Sequence, residues 1–287
     1  MSALTIVVPC YNAEKHITTL LNSLNSQSDV DFELILIDDC SSDNTVDVIK
    51  RYNFNKNIKH LIIKNEKNCG PGVSRNKGIQ YAEGRYITFI DSDDCVDNTF
   101  VSLCKQKIFE YNDLDCLVFD FYTKRKEIIQ KRSMYIGSNK PVEEETLLAT
   151  NDAMVYVMGA TCGKVYRTEM IKKNKIEFLP YYRGEDIPFT KSALAMSKRI
   201  LYIQKPLYYY CEQKDSIMHS ISSYSVEEVA ERIDYIKKKT KGEHLLETEA
   251  IFALHCLYSL VKAYLRNKKN INEIKSLINN LEQSYPK

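Results

Sequence analysis

Apolar and polar positions along the first hundred residues fall into two alternating patterns. Leu4 to Val8, Phe32 to Ile37, Ile58 to Ile63 and Tyr86 to Ile90 are short apolar runs that read as strands, the first and last of them buried. Between them, Ile17, Leu20, Leu21 and Leu24 share one helical face, Ser42-Asp43 starts a short helix through Val46 and Ile49, and Gly72 to Ala82 makes a third helix. Strands separated by helices predict right-handed βαβ units and a mostly parallel sheet, an α/β fold.

Beyond residue 97 the pattern changes. Val101, Cys104, Ile108 and Tyr111 line a helix, Cys116 to Tyr122 reads as a strand, and the charged stretch Lys124 to Arg132 reads as a solvated hairpin or loop. After Pro141 a helical region is expected to contain Leu147, Leu148, Met154 and Val155. Gly184-Glu185-Asp186 opens a helix carrying Ile187, Thr190, Ala193 and Leu194, and Ile200 to Ile203 and Tyr208 to Tyr210 give two short strands. From Ser225 onward three stripes recur at helical spacing: Val226, Val229, Ile233 and Ile236; Leu246, Leu254, Leu257, Val261 and Leu265; Ile274, Leu277, Ile278 and Leu281.

Composition narrows the function. The 287 residues, 44% of them hydrophobic, suffice for one large α/β domain with an appendage, and a net charge of +2 gives no reason to expect nucleic acid. Nine scattered cysteines, odd in number and without a Cys-x-x-Cys pair, suit reduced thiols of a cytosol better than a disulfide framework or a zinc site. No apolar run approaches the length of a membrane span, and Met1-Ser-Ala-Leu-Thr opens into a strand without the basic start of a signal peptide, so a cytoplasmic protein is expected. Residues 237–287 hold ten Lys and Arg against five acids, whereas the first hundred hold ten against fourteen. This basic helical tail suits packing on the domain, a homo-oligomer contact, or peripheral contact with the inner face of a membrane.

The candidate chemistry sits where strands end. The fourth strand stops on Asp91-Ser92-Asp93-Asp94, which puts hard oxygen ligands at the carboxyl edge of the sheet, where open α/β folds bind ligands. Asp91 and Asp93 suit Mg²⁺ or Mn²⁺ completed by water and a substrate phosphate; the tetrapeptide alone equally suits a polar turn capping the next helix. At the same edge Tyr11 offers a stacking ring, Asp39 an acceptor for the N3–H of uracil, and Arg75 a cation for phosphate. Each alone also reads as ordinary turn, cap or surface chemistry. A GxGxxG fingerprint and a phosphate loop are both missing, which argues against a dehydrogenase or an NTPase.

Four segments, Thr5-Ile-Val-Val-Pro-Cys-Tyr-Asn-Ala, Ile35-Leu-Ile-Asp-Asp-Cys-Ser-Ser-Asp-Asn-Thr, Asn68-Cys-Gly-Pro-Gly-Val-Ser-Arg-Asn-Lys-Gly-Ile and Phe89-Ile-Asp-Ser-Asp-Asp, stand in the order and spacing of one family. From about Leu4 to Tyr210 the chain resembles the family 2 inverting glycosyltransferases of the GT-A fold, of the bacterial cell-surface polysaccharide type. The resemblance implies a glycosyltransferase domain over 1–215, with a nucleotide-binding half over about 1–97, an acceptor-binding half over about 98–215, and a helical region over 216–287. It places Pro9, Tyr11, Asp39, Asn68, Arg75, Asp91 and Ser92 at the nucleotide, Asp91 and Asp93 on the metal, and the catalytic base on Asp186, with Glu185 beside it. By spacing alone Glu185 and Asp186 would be helix-capping acids. His219, in the loop Ser216-Ile-Met-His219, is a possible accessory group at the diphosphate. The implied reaction transfers a sugar from a nucleotide-sugar donor, UDP-linked by the Asp39 argument, to a hydroxyl of a glycan or lipid-linked acceptor, with inversion.

Three positions depart from the family pattern. Cys40 replaces a frequent Gly, so a different turn is expected there, and Thr161 and Gly163 replace an aromatic and an Asn in Gly159-Ala-Thr-Cys-Gly-Lys-Val-Tyr-Arg167, so the acceptor pocket is expected to be unusual. A metal-dependent nucleotidyltransferase and an inactive nucleotide- or glycan-binding module are the rival readings.

Overall fold

The computed structural model describes residues 3–136, 141, 143–213 and 226–240. The chain divides into two units, Met1–Gln213 and Lys214–Lys287. The first is built on one mixed sheet. Its nucleotide-side half comprises β1 (Leu4–Cys10), α1 (Ile17–Asn25), β2 (Glu33–Asp38), α2 (Thr45–Arg51), β3 (Lys59–Lys64), α3 (Pro71–Tyr81) and β4 (Tyr86–Phe89). These four strands lie in the order β3-β2-β1-β4, all parallel, so their carboxyl ends form one edge and the strand order reverses at β1.

The remaining elements are β5 (Cys95–Val96), α4 (Phe100–Glu110), β6 (Cys116–Arg125), β7 (Ile128–Arg132), β8 (Glu145–Leu148), α5 (Thr150–Tyr156), β9 (Lys164–Arg167), α6 (Thr168–Lys173), α7 (Asp186–Met196) and β10 (Ile200–Cys211). The sheet continues β4-β9-β6-β10-β5. β9 runs antiparallel to both β4 and β6, and β10 runs parallel to β6. The carboxyl ends of β6 and β10 therefore reach the same edge as those of β1 to β4.

Successive residues of β1 and β2 serve opposite faces, which is why these strands read as continuous apolar runs. Ile6, Val8, Leu34 and Leu36 pack with Leu20, Leu24, Phe100 and Cys104 under α1 and α4. Val7, Ile35 and Ile37 pack with Ile79, Phe89, Phe189 and Leu194 under α3 and α7. Each such side chain contributes about 1.5–3 kcal/mol by leaving water. The helix α3 can lie this close because Gly78 faces Val7: a Cβ there would stand 2.3 Å from Val7 Cγ1.

Several expectations are corrected. Leu147 and Leu148 belong to the strand β8, antiparallel to β10, and only α5 is helical in that region. Their unequal exposure, Leu147 exposed and Leu148 buried, shows a period of two that adjacency in sequence disguised. The two strands expected after residue 200 are one strand, whose register against β6 shifts on both sides of Pro206, a residue with no N–H to give the ladder. The Lys124 to Arg132 segment is, as expected, an exposed hairpin, formed by β6 and β7. The segment expected as a turn up to Arg167 ends in the strand β9, and the sequence pattern predicts none of β5, β9 and α6, which are only 2, 4 and 6 residues long.

In the second unit the described element is α8 (Val226–Thr240). Ile236 of its apolar stripe is buried, and Lys237, Lys238 and Lys239 occupy its last turn, where cations suit the helix dipole. The other two predicted stripes and His219 lie outside the described residues. No helix among the described residues is long and apolar enough to cross a membrane.

Candidate active site

The loops after β1, β2 and β3 are tied together by side-chain bonds. Pro9 is buried in β1 opposite Ile37, and Tyr11 follows it with half its surface exposed, the ring available for stacking. Asn12 accepts the Ser42 N–H at 2.9 Å and donates its own N–H to Ser41 Oγ at 3.0 Å. Asp39 is buried: Oδ1 accepts Asn65 Nδ2 at 2.8 Å and the Cys69 N–H at 3.0 Å, and Oδ2 accepts the Gly70 N–H at 2.7 Å. Asn68 Oδ1 also accepts from Gly70, at 3.2 Å. These bonds fix the entry to α3, whose first residue is Pro71, the position where a missing N–H costs nothing. Contrary to expectation, Cys40 keeps the left-handed backbone, with φ of +64°, that a glycine would supply.

After β4 the chain turns through Asp91, Ser92, Asp93 and Asp94, with the Asp94 N–H donating to the Asp91 carbonyl at 3.1 Å. Asp94 points inward. It accepts the Tyr208 hydroxyl and, at 2.7 Å, the Cys211 N–H, while the Asp91 N–H donates to the Tyr208 oxygen at 3.3 Å. Burial, and then the charges of Asp91 and Asp93, hold the Asp94 carboxyl well above its ordinary range. Burial, and then Asp91, push the Asp93 carboxyl up as well. Such crowded carboxylates, each resisting ionisation beside the other, are the condition a divalent cation relieves. Among the described residues no three His, Cys, Asp or Glu side chains converge as a ready cage. A hard cation on Asp91 and Asp93 would complete its shell from water and phosphate oxygens, so the donor set fits Mg²⁺ or Mn²⁺.

The side of the site carrying Asp186 is joined to Asp91 by one guanidinium. Arg75 is 4% exposed; Nη2 donates to Asp91 Oδ1 at 2.7 Å, and Nη1 to Glu185 Oε1 at 2.7 Å and to Asp186 Oδ1 at 3.3 Å. The expected role of Arg75 as a cation open to phosphate meets a buried side chain already shared among three carboxylates. Gly72, one turn earlier on α3, makes the approach possible: a Cβ would stand 2.9 Å from the Leu179 carbonyl and 3.1 Å from Glu185 Cγ. Glu185 is pushed up to about 7, by burial and then by Asp186, with Arg75 opposing. Its side chain is 7% exposed, against 31% for Asp186. Of the two, Asp186 is open to a substrate.

The structure thus brings Tyr11, Asp39, Asn68, Arg75, Asp91, Ser92, Asp93, Glu185 and Asp186 to one edge of the sheet. Sequence reasoning missed Tyr208 as the support of Asp94, and Thr161, whose hydroxyl donates to Asp186 Oδ1 at 2.6 Å. Tyr208 carried no signal beyond strand propensity. Thr161 stood out as a polar residue in a turn where an aromatic was expected.

A sequence profile described as glycosyl transferase family 2 matches residues 5–174. The chain belongs to glycosyl transferase family 2. The matched span covers β1 to β9, and the family 2 profile stops before Glu185, Asp186 and Tyr208. Among relatives, the poly(ribitol-phosphate) beta-N-acetylglucosaminyltransferase TarS of Staphylococcus aureus is 33% identical over 228 residues, 78% of this chain and 38% of TarS. A poly(ribitol-phosphate) beta-glucosyltransferase of Bacillus spizizenii is 28% identical over 251 residues, 86% of this chain and 38% of that enzyme. The chain therefore spans well under half the length of these family 2 relatives. Crystal structures of residues 1–349 of TarS superpose with a TM-score of 0.82 for the UDP-GlcNAc complex (24% identity, 100% of this chain, 82% of that one) and 0.70 for the UDP complex (26% identity, 94% and 74%).

Proposed function

We propose that this family 2 member is an inverting, metal-dependent glycosyltransferase that moves a sugar from a UDP-sugar to a hydroxyl of a cell-surface polymer, a polyol-phosphate chain of the teichoic acid type. The observation that carries the reading is the placement of Arg75 between Asp91 and Asp186. It brings a group suited to a diphosphate-bound cation and a group suited to proton abstraction onto one guanidinium. The TarS complexes with UDP and UDP-GlcNAc support the donor class, and the poly(ribitol-phosphate) enzymes support the acceptor class.

Tyr11 would stack on the uracil, and Asp39 would accept its N3–H on the acceptor capacity its three protein donors leave. Asp91 and Asp93 would hold Mg²⁺ or Mn²⁺, which when bound neutralises charge developing on the departing diphosphate. Asp186 would take the proton of the acceptor hydroxyl as it attacks the face opposite the leaving group, a contribution of roughly 10² to 10⁴ in rate. Buried Glu185 would hold Arg75 in place. The basic excess of residues 237–287 suits a polyanionic acceptor or the inner membrane face.

Asp186→Asn separates this chemistry from binding. The variant should fold, bind UDP with Mn²⁺ like the parent, and transfer sugar at least about a hundredfold more slowly. Transfer within a few-fold of the parent, or a product that retains the donor's anomeric configuration, overturns the inverting mechanism. Release of pyrophosphate with a new nucleotide sugar would instead identify a nucleotidyltransferase.

A further inference from the structure

The Thr161 and Arg75 hydrogen bonds to Asp186 converge on one of its two oxygens. Oδ1 accepts the Thr161 hydroxyl at 2.6 Å and Arg75 Nη1 at 3.3 Å. Thr161 is buried, and an ionised carboxylate only accepts, so the hydroxyl proton is committed to Asp186. A hydroxyl to an anion at this distance is a charge-assisted bond, stronger than a neutral one.

The turn bearing Thr161 is itself clamped. Lys164 Nζ, buried beneath it, donates to the carbonyls on either side of Thr161, Ala160 at 2.6 Å and Cys162 at 3.4 Å. Burial lowers the Lys164 ammonium to about 8, which leaves most of it charged at neutral pH. From α7, one turn beyond Asp186, Thr190 Oγ1 also donates to the Ala160 carbonyl, at 3.4 Å. A hydroxyl that only filled space would not call for a buried cation spanning the two carbonyls beside it.

Resting on the reading of Asp186 as the base, we infer that Thr161 is a positioning residue: it pins Oδ1 and so presents Oδ2 to the acceptor hydroxyl. Arg75 alone, at 3.3 Å and shared with Glu185 and Asp91, leaves the carboxylate free to swing about its last torsion. The acceptor proton would then meet either oxygen in a range of orientations, and a misplacement of about 1 Å in such a site costs on the order of a hundredfold.

The test is a double-mutant cycle on the full chain, with UDP-sugar as donor and the polyol-phosphate polymer as acceptor. Thr161→Val keeps the shape and removes the donor. It should lower kcat tenfold or more while leaving the donor KM and the UDP dissociation constant within twofold, and Thr161→Ser should restore kcat to within about threefold. In an Asp186→Asn background, Thr161→Val should cost nothing further, because no base is left to orient. A parental kcat for Thr161→Val, or the same fold loss in both backgrounds, overturns the proposal, the latter marking Thr161 as a packing residue. If Thr161→Val does not fold, Thr161→Ala makes the same comparison. Failure of the underlying reading looks different: Asp186→Asn itself would stay active, whatever stands at 161.

Discussion

Asp39 Oδ2 accepts the backbone N–H of Gly70 at 2.7 Å, so the carboxylate at the end of β2 fastens the turn that starts α3. With Asn65 and Cys69 on Oδ1, three donors occupy a group that offers about four acceptor positions. Under the proposed function Asp39 serves the fold and the nucleotide together. Asp39→Asn presents an amide donor to a backbone donor and should cost about 1–3 kcal/mol in chemical denaturation, as well as UDP affinity. Calorimetry should rank UDP above GDP for the parent if Asp39 reads the uracil N3–H beside the Tyr11 ring; a tighter GDP complex refutes the uracil assignment.

Metal removal gives a second prediction. EDTA should abolish transfer, and Mn²⁺ or Mg²⁺ should restore it. Asp93→Ala should bind UDP without the enhancement the parent gains from Mn²⁺. Full transfer in chelator rules out the cation.

Removing Arg75 strands three carboxylates. Arg75→Met should destabilise the domain by about 3 kcal/mol, the lower end for breaking a buried pair, because Asp91 and Asp186 keep partial access to water. That is a fall of roughly 6–12 °C in Tm. Adding Glu185→Gln should recover part of it, since Glu185 is the most buried of the three. An unchanged Tm for Arg75→Met contradicts the tie.

Glu185 makes stability depend on pH. Its carboxyl is raised from 4.5 to about 7 in the folded chain, so between those values the folded state binds more protons than the unfolded state. Stability therefore falls as pH rises through this window, by about 3 kcal/mol if Glu185 acts alone. Urea titrations at pH 5 and pH 8 should show this decline, and Glu185→Gln should flatten it. A decline of equal size in the variant assigns it to other groups.

The parallel half of the fold was legible because β1, β2 and β4 are buried on both faces and α1 buries the regular stripe of Ile17, Leu20, Leu21 and Leu24. Legibility failed where period and adjacency diverge. Leu147 and Leu148 are neighbours in sequence but face opposite sides of β8, and Pro206 looked like a break although β10 runs through it with a shifted register. The site residues were readable as positions, by motif, but their bonds were not. A surface cation and a buried hub share the one letter at residue 75, and the three carboxylates that distinguish them lie 16, 110 and 111 residues away. Cys40 shows the limit of propensity: the loop network around Asn12, Asp38 and Ser41 holds the left-handed turn without a glycine. Such a backbone costs a non-glycine residue about 1–3 kcal/mol.

The long reach of the bonds under Asp94 also sets an order of assembly. Tyr208 and Cys211 follow it by 114 and 117 residues, and β6 finds its neighbour β10 only after residue 200. At a synthesis rate of about 5–20 residues per second, the acid cluster emerges from the ribosome roughly 6–23 s before the strand that braces it. During that interval Asp94 lacks both partners that hold it inward, and β6 lacks its neighbour β10. A chain stalled before residue 208 would therefore present the acid turn without the Tyr208 hydroxyl and the Cys211 N–H that hold Asp94 in the folded protein.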